Sequence, residues 1–313
     1  MTPAHSCTCS LSHDEYSGTL HSNERLSCLL KFLSGKKKSV KTPPSIVICS
    51  TMRSGSTMIC EDMRNTRSLG TARELFMNWR PGKADKYKEL EKLFEEEVTE
   101  NGVFSVKVMS RYLPHTEAAL QGTREDRPEE GLFPYFHDVF KDATWVYLKR
   151  NDILGQAISR YISNKTGVYH NFDDGRHSKS KTVLKAKGES YSDDLDYKFL
   201  PINKGVQNIA REQVLWEHFF TTHGIEPVRL TYEDCVEDHH TYLQAIANVA
   251  GIMLETMPAE RTIKRLPNKR NDELREEYCR DLVRRIRNGT FVPGQKKPNK
   301  PGKAKTAPGD AGA

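Results

Sequence analysis

The stretch of sequence that decides the fold is SIVICSTMRSGSTMICEDM, residues 45–63. Its first six residues are largely apolar and rich in β-branched side chains, which is typical of a buried parallel strand. A loop of small and hydroxyl-bearing residues follows from Thr51 to Thr57, and from Met58 the apolar residues continue at helical spacing. This order of strand, Ser/Gly loop and helix favours an anion site, because the unpaired N–H groups and the dipole at the start of a helix attract negative charge.

The loop carries the chemical groups that such a site needs. Gly55 lets the backbone approach a ligand, and Arg53 adds a planar guanidinium suited to phosphate or sulfate oxygens. Hydroxyl groups come from Ser54, Ser56 and Thr57. The loop lacks the lysine and the glycine spacing of a Walker A motif, which argues against a nucleotide hydrolase. A purely structural Ser/Gly turn is the alternative interpretation.

Beyond this stretch, segments typical of strands alternate with segments typical of helices. Further strands are predicted over 103–109, 144–148 and 227–231. Helices are predicted over 83–100, 133–140, 152–164, 205–223, 238–250 and 272–287. The alternation predicts an α/β fold with a central parallel sheet and helices on both faces. The polar segment 173–203 interrupts the pattern, and it is interpreted either as a mobile flap over an active site or as a surface insertion.

The distribution of charge divides the chain into one ordered body and two basic ends. The formal charge of the 313 residues is +6. Residues 1–44 hold six Lys or Arg against three Asp or Glu, and residues 288–313 hold five Lys against one Asp. These ends carry +3 and +4, which leaves −1 for residues 45–287. Both ends are predicted to be flexible extensions, and the nearly neutral body argues against a specific nucleic-acid surface.

The composition also bears on the compartment. The longest apolar runs, such as 46–49, are far shorter than the roughly 20 residues of a spanning helix, so no membrane span is predicted. The N-terminus lacks the apolar stretch of a secretory signal. Seven scattered cysteines do not form a pattern typical of a disulfide framework. We therefore expect a cytoplasmic protein, and the His and Cys spacings predict no metal site.

Five segments in order along the chain resemble a known family. The loop Arg53-Ser54-Gly55-Ser56-Thr57 resembles the one that binds the 5′-phosphosulfate in sulfotransferases using 3′-phosphoadenylyl sulfate (PAPS), especially in the bacterial trehalose 2-sulfotransferase family. The other segments that resemble this family are 70–76, 149–159, 231–234 and 269–272. In the first of them Ala72 replaces the proline of the family.

The resemblance implies a phosphate-loop-like sulfotransferase fold for residues 45–287, with PAPS as the sulfuryl donor and no metal. It also suggests a homodimer. Within this fold, the loop Arg53 to Thr57 would bind the phosphosulfate, and Arg150 and Ser159 would hold the 3′-phosphate. Arg270, in the segment Lys-Arg-Asn-Asp, would be a further cofactor-binding residue.

The position of Arg150 also makes sense on physical grounds. It follows a predicted strand, at the carboxyl edge of the sheet where α/β proteins bind ligands. The family often has two adjacent basic residues here, whereas this chain has Arg150 followed by Asn151. An ordinary surface cation is the alternative interpretation of Arg150.

Sulfuryl transfer to a hydroxyl needs a general base. The resemblance assigns that role to Glu74, with a capping or ion-paired glutamate as the alternative. Lys107 lies where many sulfotransferases have a Lys-Thr-His run, and it is a candidate for neutralising sulfate oxygens or else a plain strand lysine. His115 and His170 are further candidate bases.

Phe76 and Trp79 follow the candidate base closely in sequence. They are predicted as an apolar or sugar-stacking wall for the acceptor, and a place in the core is the alternative. The leading hypothesis is thus transfer of a sulfuryl group from PAPS to a hydroxyl, or amine, of a small polar or carbohydrate-like acceptor. A nucleotide-dependent small-molecule kinase with a phosphate loop, and a non-catalytic anion- or nucleic-acid-binding protein, are the alternatives.

Overall fold

The computed structural model describes residues 40–82, 85–122, 130–170, 178–187, 190–263 and 269–291. The predicted terminal extensions lie outside these residues, apart from their short inner ends. The predictions for the whole of the segment 173–203 can likewise be compared only over its described parts.

Four parallel strands form the central sheet, in the order β2-β1-β3-β4. Their bounds are Ser45–Ser50 for β1, Phe104–Met109 for β2, Thr144–Lys149 for β3 and Val228–Thr231 for β4. Every residue of β1 is buried, since the strand lies inside the sheet and both of its faces are covered. This burial explains why its sequence is a continuous apolar run rather than an alternating one.

Helices connect the strands and cover the sheet. They are α1 (Ser56–Asn65), α2 (Lys86–Glu96), α3 (Leu113–Gln121), α4 (Pro134–Phe140), α5 (Ile153–Thr166), α6 (Ser178–Lys187), α7 (Phe199–His223), α8 (Tyr232–Glu237), α9 (His239–Ala250) and α10 (Lys269–Arg287). The predicted fold class, an α/β protein with a central parallel sheet, is confirmed.

The two faces of the sheet have different cores because successive side chains of a strand point to opposite sides. Val47 and Cys49 pack in a largely aromatic cluster with side chains of α2, α4 and α7. Ile46 and Ile48 pack on the other face in an aliphatic cluster with side chains of α1 and α9. Trp216 of α7 donates from its indole nitrogen to the carbonyl of Ser50 at 2.9 Å, so the end of β1 is tied to the aromatic face.

A third cluster joins α5, α7 and α10, with side chains such as Ile158, Ile202 and Leu274. It includes parts of the segment 173–203, which differs from its prediction as an insertion without regular structure. Residues 178–187 form α6, and α7 begins at Phe199 rather than at residue 205. The lysine- and serine-rich sequence of α6 does not indicate a helix, because its few apolar residues do not recur at helical spacing.

Candidate active site

A cavity of about 920 Å³ lies where the parallel strands end. Its walls include the loop between β1 and α1, the starts of α5, α8 and α10, and residues that follow β2. In a parallel sheet the carboxyl ends of the strands share one edge, so residues distant in sequence meet there. The cavity is the candidate active site.

The loop after β1 turns sharply to present the start of α1. Arg53 and Gly55 both have left-handed backbone conformations, with φ of 67° and 93°. A Cβ atom on Gly55 would lie 2.3 Å from Cδ2 of the Tyr232 ring, so glycine is required both by the conformation and by the close packing. The hydroxyl of Ser54 is buried and has no hydrogen-bond partner among the described residues. Ser54 is fully buried and is not among the described residues that line the cavity.

Lys107 lies at the centre of the polar network beside this loop. It is on the face of β2 that packs toward α1, and its side chain is only 6% exposed. Its ammonium group donates to Thr57 Oγ1 and pairs with Glu74 Oε1, both at 3.0 Å. The anion loop, the strand lysine and the candidate base are therefore in direct contact.

Glu74 reaches this position from an irregular segment that runs beside the outer edge of β2. The amide of Lys107 donates to the carbonyl of Arg73 at 3.0 Å, and Arg73 forms a parallel bridge with Val106. Gly70, with φ of 83°, permits the approach, since a Cβ there would lie 2.2 Å from Ser105 Oγ. The backbone next to the candidate base is therefore held by β2.

Tyr112 completes the surroundings of Glu74 and was not predicted from the sequence. Its hydroxyl donates to Glu74 Oε2 at 3.0 Å. Burial and the neighbouring charge of Glu74 raise the pKa of Tyr112 to about 12, so the phenol remains a hydrogen-bond donor at neutral pH. Its position just after β2, in the turn Ser110–Tyr112, was the only signal in the sequence, because residues that follow strands reach this edge of the sheet.

Arg53 points along the cavity toward α5 rather than toward Glu74. Its Nε donates to Ser159 Oγ at 3.1 Å, and its guanidinium also contacts the carbonyl of Tyr169. Burial lowers the pKa of Arg53, and the nearby positive charge of Arg150 lowers it further. Two of the predicted cofactor residues, Arg53 and Ser159, are thus brought together, and the buried positive charge favours an anionic ligand.

Arg150 lines the cavity beside α8. Its guanidinium lies over the ring of Tyr232, 4.7 Å from the centroid, and 3.7 Å from Asp152 Oδ2. Its Nε is buried and has no hydrogen-bond partner in the described part of the chain. Arg150 therefore has donor capacity left for a ligand.

Asp152 organises the start of α5 beneath Arg150. It accepts from the amide of Gly155 at 2.9 Å and pairs with Arg275 as well as Arg150. Burial acts to raise the pKa of Asp152, but the Gly155 amide and the two guanidinium groups outweigh it and hold the pKa below its usual value. The carboxylate therefore stays ionised and fixes the orientation of the cations around it.

Gln156 was not predicted either, although it lies in one of the segments that resemble the family. It is fully buried, and its amide nitrogen donates to Thr51 Oγ1 at 2.8 Å and to the carbonyl of Met52 at 2.7 Å. These bonds tie α5 to the loop after β1. The bonds therefore hold the loop that carries Arg53 against the helix that follows Arg150.

Ser54 and Lys107 are buried and are not among the described residues that line the cavity, and three further predicted site residues lie away from its walls. Phe76 and Trp79 are 2% and 4% exposed and contact one another in the aromatic core, with ring centroids 4.7 Å apart. Arg270 donates to the carbonyl of Leu195 and pairs with two glutamates of its own helix, while its neighbours Lys269 and Asn271 line the cavity. The core position of the two aromatic rings corrects the expected stacking wall, and none of the three is kept in the candidate site.

The two histidine candidates also differ in position. His170 lines the cavity at the Tyr169 end, whereas His115 is exposed on α3 and is not among the described residues that line it. Neither donates to or accepts from Glu74 in the hydrogen bonds described.

Within the described ranges no three His, Cys, Asp or Glu side chains are gathered as a metal ion would require. In those ranges, too, no helix has the length and apolar character needed to cross a bilayer.

A buried strand, a phosphate-loop-like turn and a cavity with paired cations at the end of a parallel sheet define an α/β enzyme that handles an anionic group. Residues 45–281 match the model of the Stf0 sulphotransferase family, so the chain belongs to that family and is a sulfotransferase. The predicted resemblance to the trehalose 2-sulfotransferase family is confirmed.

Two curated relatives are similar over most of their length. The trehalose 2-sulfotransferase of Mycobacterium tuberculosis is 23% identical over 273 residues, which cover 76% of this chain and 95% of the relative. That of Mycolicibacterium smegmatis is 23% identical over 283 residues, which cover 77% and 97%.

Among solved structures, a sulfotransferase from Alicyclobacillus acidocaldarius has a TM-score of 0.39 at 14% identity, covering 77% of this chain and 93% of its own. Retinol dehydratase in complex with retinol and PAP has a TM-score of 0.33 at 12% identity, covering 83% and 85%.

Proposed function

We propose that the enzyme transfers a sulfuryl group from PAPS to a hydroxyl, or amine, of a small polar or carbohydrate-like acceptor. The observation that carries the proposal is the contact of Lys107 with both Thr57 and Glu74, each at 3.0 Å. It joins a loop suited to an anionic donor with a carboxylate suited to deprotonate an acceptor. Membership of a sulfotransferase family supports the reaction class, and the names of the two curated relatives support a carbohydrate hydroxyl.

The donor would lie along the cavity from the loop to Arg150. The N–H groups at the start of α1 and the loop Arg53 to Thr57 are suited to the 5′-phosphosulfate. Arg150 and Ser159 are suited to the 3′-phosphate, and the bond from Arg53 to Ser159 supports a role for Arg53 between the two anionic groups. When bound, PAPS supplies an activated sulfuryl group whose bond from sulfur to the phosphate oxygen can break.

The residues present fit a donor of this kind. The orphaned Nε of Arg150, a residue that lines the cavity, is a buried donor that an anion could satisfy. A cavity of about 920 Å³ is large enough for a nucleotide-sized ligand and an acceptor. The half-buried Arg53 and its neighbour Arg150 supply the positive charge that two anionic groups need.

In the proposed mechanism the oxygen of the acceptor hydroxyl bonds to sulfur, and Glu74 takes the proton that this hydroxyl loses. The electron pair of the breaking S–O bond stays with the phosphate oxygen, and the N–H groups of the loop stabilise the charge that develops there. Lys107 neutralises sulfuryl oxygens, since its ammonium has three donors and the described contacts use two. The attacking oxygen, the sulfur and the leaving oxygen must lie in one line, and the transition state is loose, as in phosphoryl transfer.

An assay with labelled PAPS tests the proposal directly. The full-length protein is incubated with PAPS carrying radioactive sulfate and with a panel of sugars, glycolipids, phenols and amine metabolites, and labelled product is counted. Transfer to at least one hydroxyl- or amine-bearing acceptor is expected, together with calorimetric binding of adenosine 3′,5′-bisphosphate. Absence of both binding and transfer would contradict the proposal, and phosphate transfer from magnesium ATP would favour the kinase alternative.

We also propose a homodimer and a cytoplasmic location, both of which rest on the family resemblance and on the composition. Light scattering coupled to size-exclusion chromatography measures the mass of the particle. A mass near twice 35.7 kDa is expected, and a mass near 35.7 kDa would rule out the homodimer. Fractionation of the native cells tests the location.

A further inference from the structure

We propose that Tyr112 is a positioning residue for the reaction, holding the Glu74 carboxylate so that its other oxygen meets the acceptor. The inference rests on the proposed role of Glu74 as the base. Each carboxylate oxygen has its own partner, since Oε1 pairs with Lys107 and Oε2 accepts from Tyr112, both at 3.0 Å. The two partners come from one short stretch of chain, the end of β2 and the turn that follows it.

Glu74 needs such support because the backbone contacts with β2 do not by themselves fix its side chain. Lys107 donates from its amide to the carbonyl of Arg73, but the side chain of Glu74 extends from an irregular segment and is 26% exposed. A glutamate side chain has several rotatable bonds, and fixing them costs conformational entropy. The hydroxyl of a tyrosine is neutral and is carried on a rigid ring. It therefore restricts the rotation of the Glu74 side chain and places no further charge beside the carboxylate.

The two partners of Glu74 have different duties during the reaction. Lys107 also contacts Thr57 of the anion loop, so an arriving anionic group competes for its ammonium. The hydrogen bond from Tyr112 to Glu74 Oε2 involves neither Lys107 nor Thr57, so competition for the ammonium leaves this bond in place. Tyr112 therefore maintains the position of the base at the step when proton transfer occurs.

Tyr112 does not replace Glu74 as the base. Its pKa of about 12 keeps the phenol protonated at neutral pH. Several titratable groups surround this pair. They are Lys107 of β2, Cys60 of α1, Arg111 of the turn and Glu212 of α7. None of them hydrogen-bonds Oε2 in the described structure, so loss of the Tyr112 hydroxyl leaves that oxygen to solvent.

The substitution Tyr112→Phe removes one oxygen atom and keeps the ring. We expect kcat to fall about tenfold, which is the effect of one hydrogen bond of average strength, while the KM for PAPS changes less than about twofold. A merely structural loss would raise the KM for PAPS and lower the melting temperature along with kcat, so a fall in kcat at nearly constant KM reports on the position of the base.

Tyr197→Phe is the matched control. Tyr197 also donates to a carboxylate, Asp281 Oδ2 at 3.1 Å, and neither residue lines the described cavity. Loss of the Tyr197 hydroxyl should leave kcat and the KM for PAPS unchanged, and melting temperatures of both variants report on folding. The double variant Glu74→Gln/Tyr112→Phe should turn over no more slowly than Glu74→Gln alone, because the positioned group is already absent.

The outcomes separate this inference from the proposed function. A Tyr112→Phe enzyme with the wild-type kcat, or one whose KM for PAPS rises as much as its kcat falls, overturns the positioning role. If Glu74→Gln is fully active, the assignment of the base itself fails, whatever Tyr112→Phe does. If Tyr112→Phe slows turnover by the same factor with or without Glu74, the hydroxyl acts independently of the base and the inference fails while the base stands.

Discussion

The two ends of the cavity hold their cations in opposite ways. Near Glu74, the ammonium of Lys107 is matched by a carboxylate and a hydroxyl before any ligand arrives. Near Tyr232, the guanidinium of Arg150 lies over an aromatic ring and 3.7 Å from Asp152 Oδ2, its Nε is unsatisfied in the described structure, and Arg53 adds a second positive charge. Under the proposed function, the first end serves proton transfer and the second serves the capture of an anion. Substitutions at the first end should therefore change turnover, and those at the second should change affinity.

Glu74→Gln should have the largest effect. The amide keeps the shape of the side chain but cannot take a proton, so kcat is expected to fall by about 10² to 10⁴. Affinity for adenosine 3′,5′-bisphosphate should change little, as measured by calorimetry. Glu97→Gln is the control, because Glu97 pairs with Arg73 of the same segment. Near-normal turnover of Glu74→Gln would contradict the expectation that one end of the cavity determines turnover and the other determines affinity.

Gly55→Ala tests the loop that joins them. A left-handed conformation costs an L-residue about 1 to 2 kcal/mol, and the new Cβ would overlap the Tyr232 ring. Binding of adenosine 3′,5′-bisphosphate should weaken at least about tenfold, and the melting temperature should fall. Gly224→Ala is matched in conformation, with φ of 63°, but its Cβ would meet no described atom within 4 Å. It should lower stability without weakening binding, and equal binding losses in both variants would contradict a specific role for the loop.

Arg150→Ala examines the anion end alone. A hydrogen bond to a charged group contributes about 1.5 to 3 kcal/mol, so affinity for adenosine 3′,5′-bisphosphate should fall at least about tenfold. Arg229→Ala is the control, since Arg229 also lies over a tyrosine ring, 5.7 Å from the centroid of Tyr147, and pairs with Glu217. Calorimetry should show unchanged binding for Arg229→Ala. Unchanged affinity in Arg150→Ala would show that Arg150 is an ordinary surface cation.

Asp152→Asn should have the smallest effect of the four variants. The effect is expected in the dependence of the melting temperature on pH. The folded protein holds the pKa of Asp152 below its usual value. The resulting stabilisation is present above the unfolded value of about 3.9 and is lost as the pH falls through the lowered folded value. The melting temperature of the wild type should therefore drop more steeply below about pH 4 than that of Asp152→Asn. Parallel melting curves across that range would contradict the assignment.

The fold, including the strand, turn and helix over residues 45–65, could be predicted because its signals are local. The apolar run of β1 and the Ser/Gly sequence after it need no knowledge of distant contacts. Glu74 and Lys107 were proposed singly, but their contact with each other depends on an irregular segment passing along β2, and no periodicity encodes that path.

The aromatic pair and Arg270 show the limits of a sequence argument at short range. Phe76 follows Glu74 by two residues, and outside a helix or strand nothing in the sequence distinguishes a cavity wall from the core. Arg270 lies on a helix, where adjacent residues point about 100° apart. Its neighbours Lys269 and Asn271 face the cavity, while Arg270 turns toward Leu195.

The position of β2 at the edge of the sheet has a consequence for how such enzymes diversify. The anion-binding groups come from the chain after β1 and β3, inside the sheet, whereas Glu74 belongs to a segment that runs outside β2. An edge segment can change in length and sequence without disturbing strand order. Under the proposed function, acceptor selectivity depends on a part of the chain separate from the groups proposed for the donor, and its engineering should begin with the partly exposed residues next to Glu74 rather than with the core residues Phe76 and Trp79.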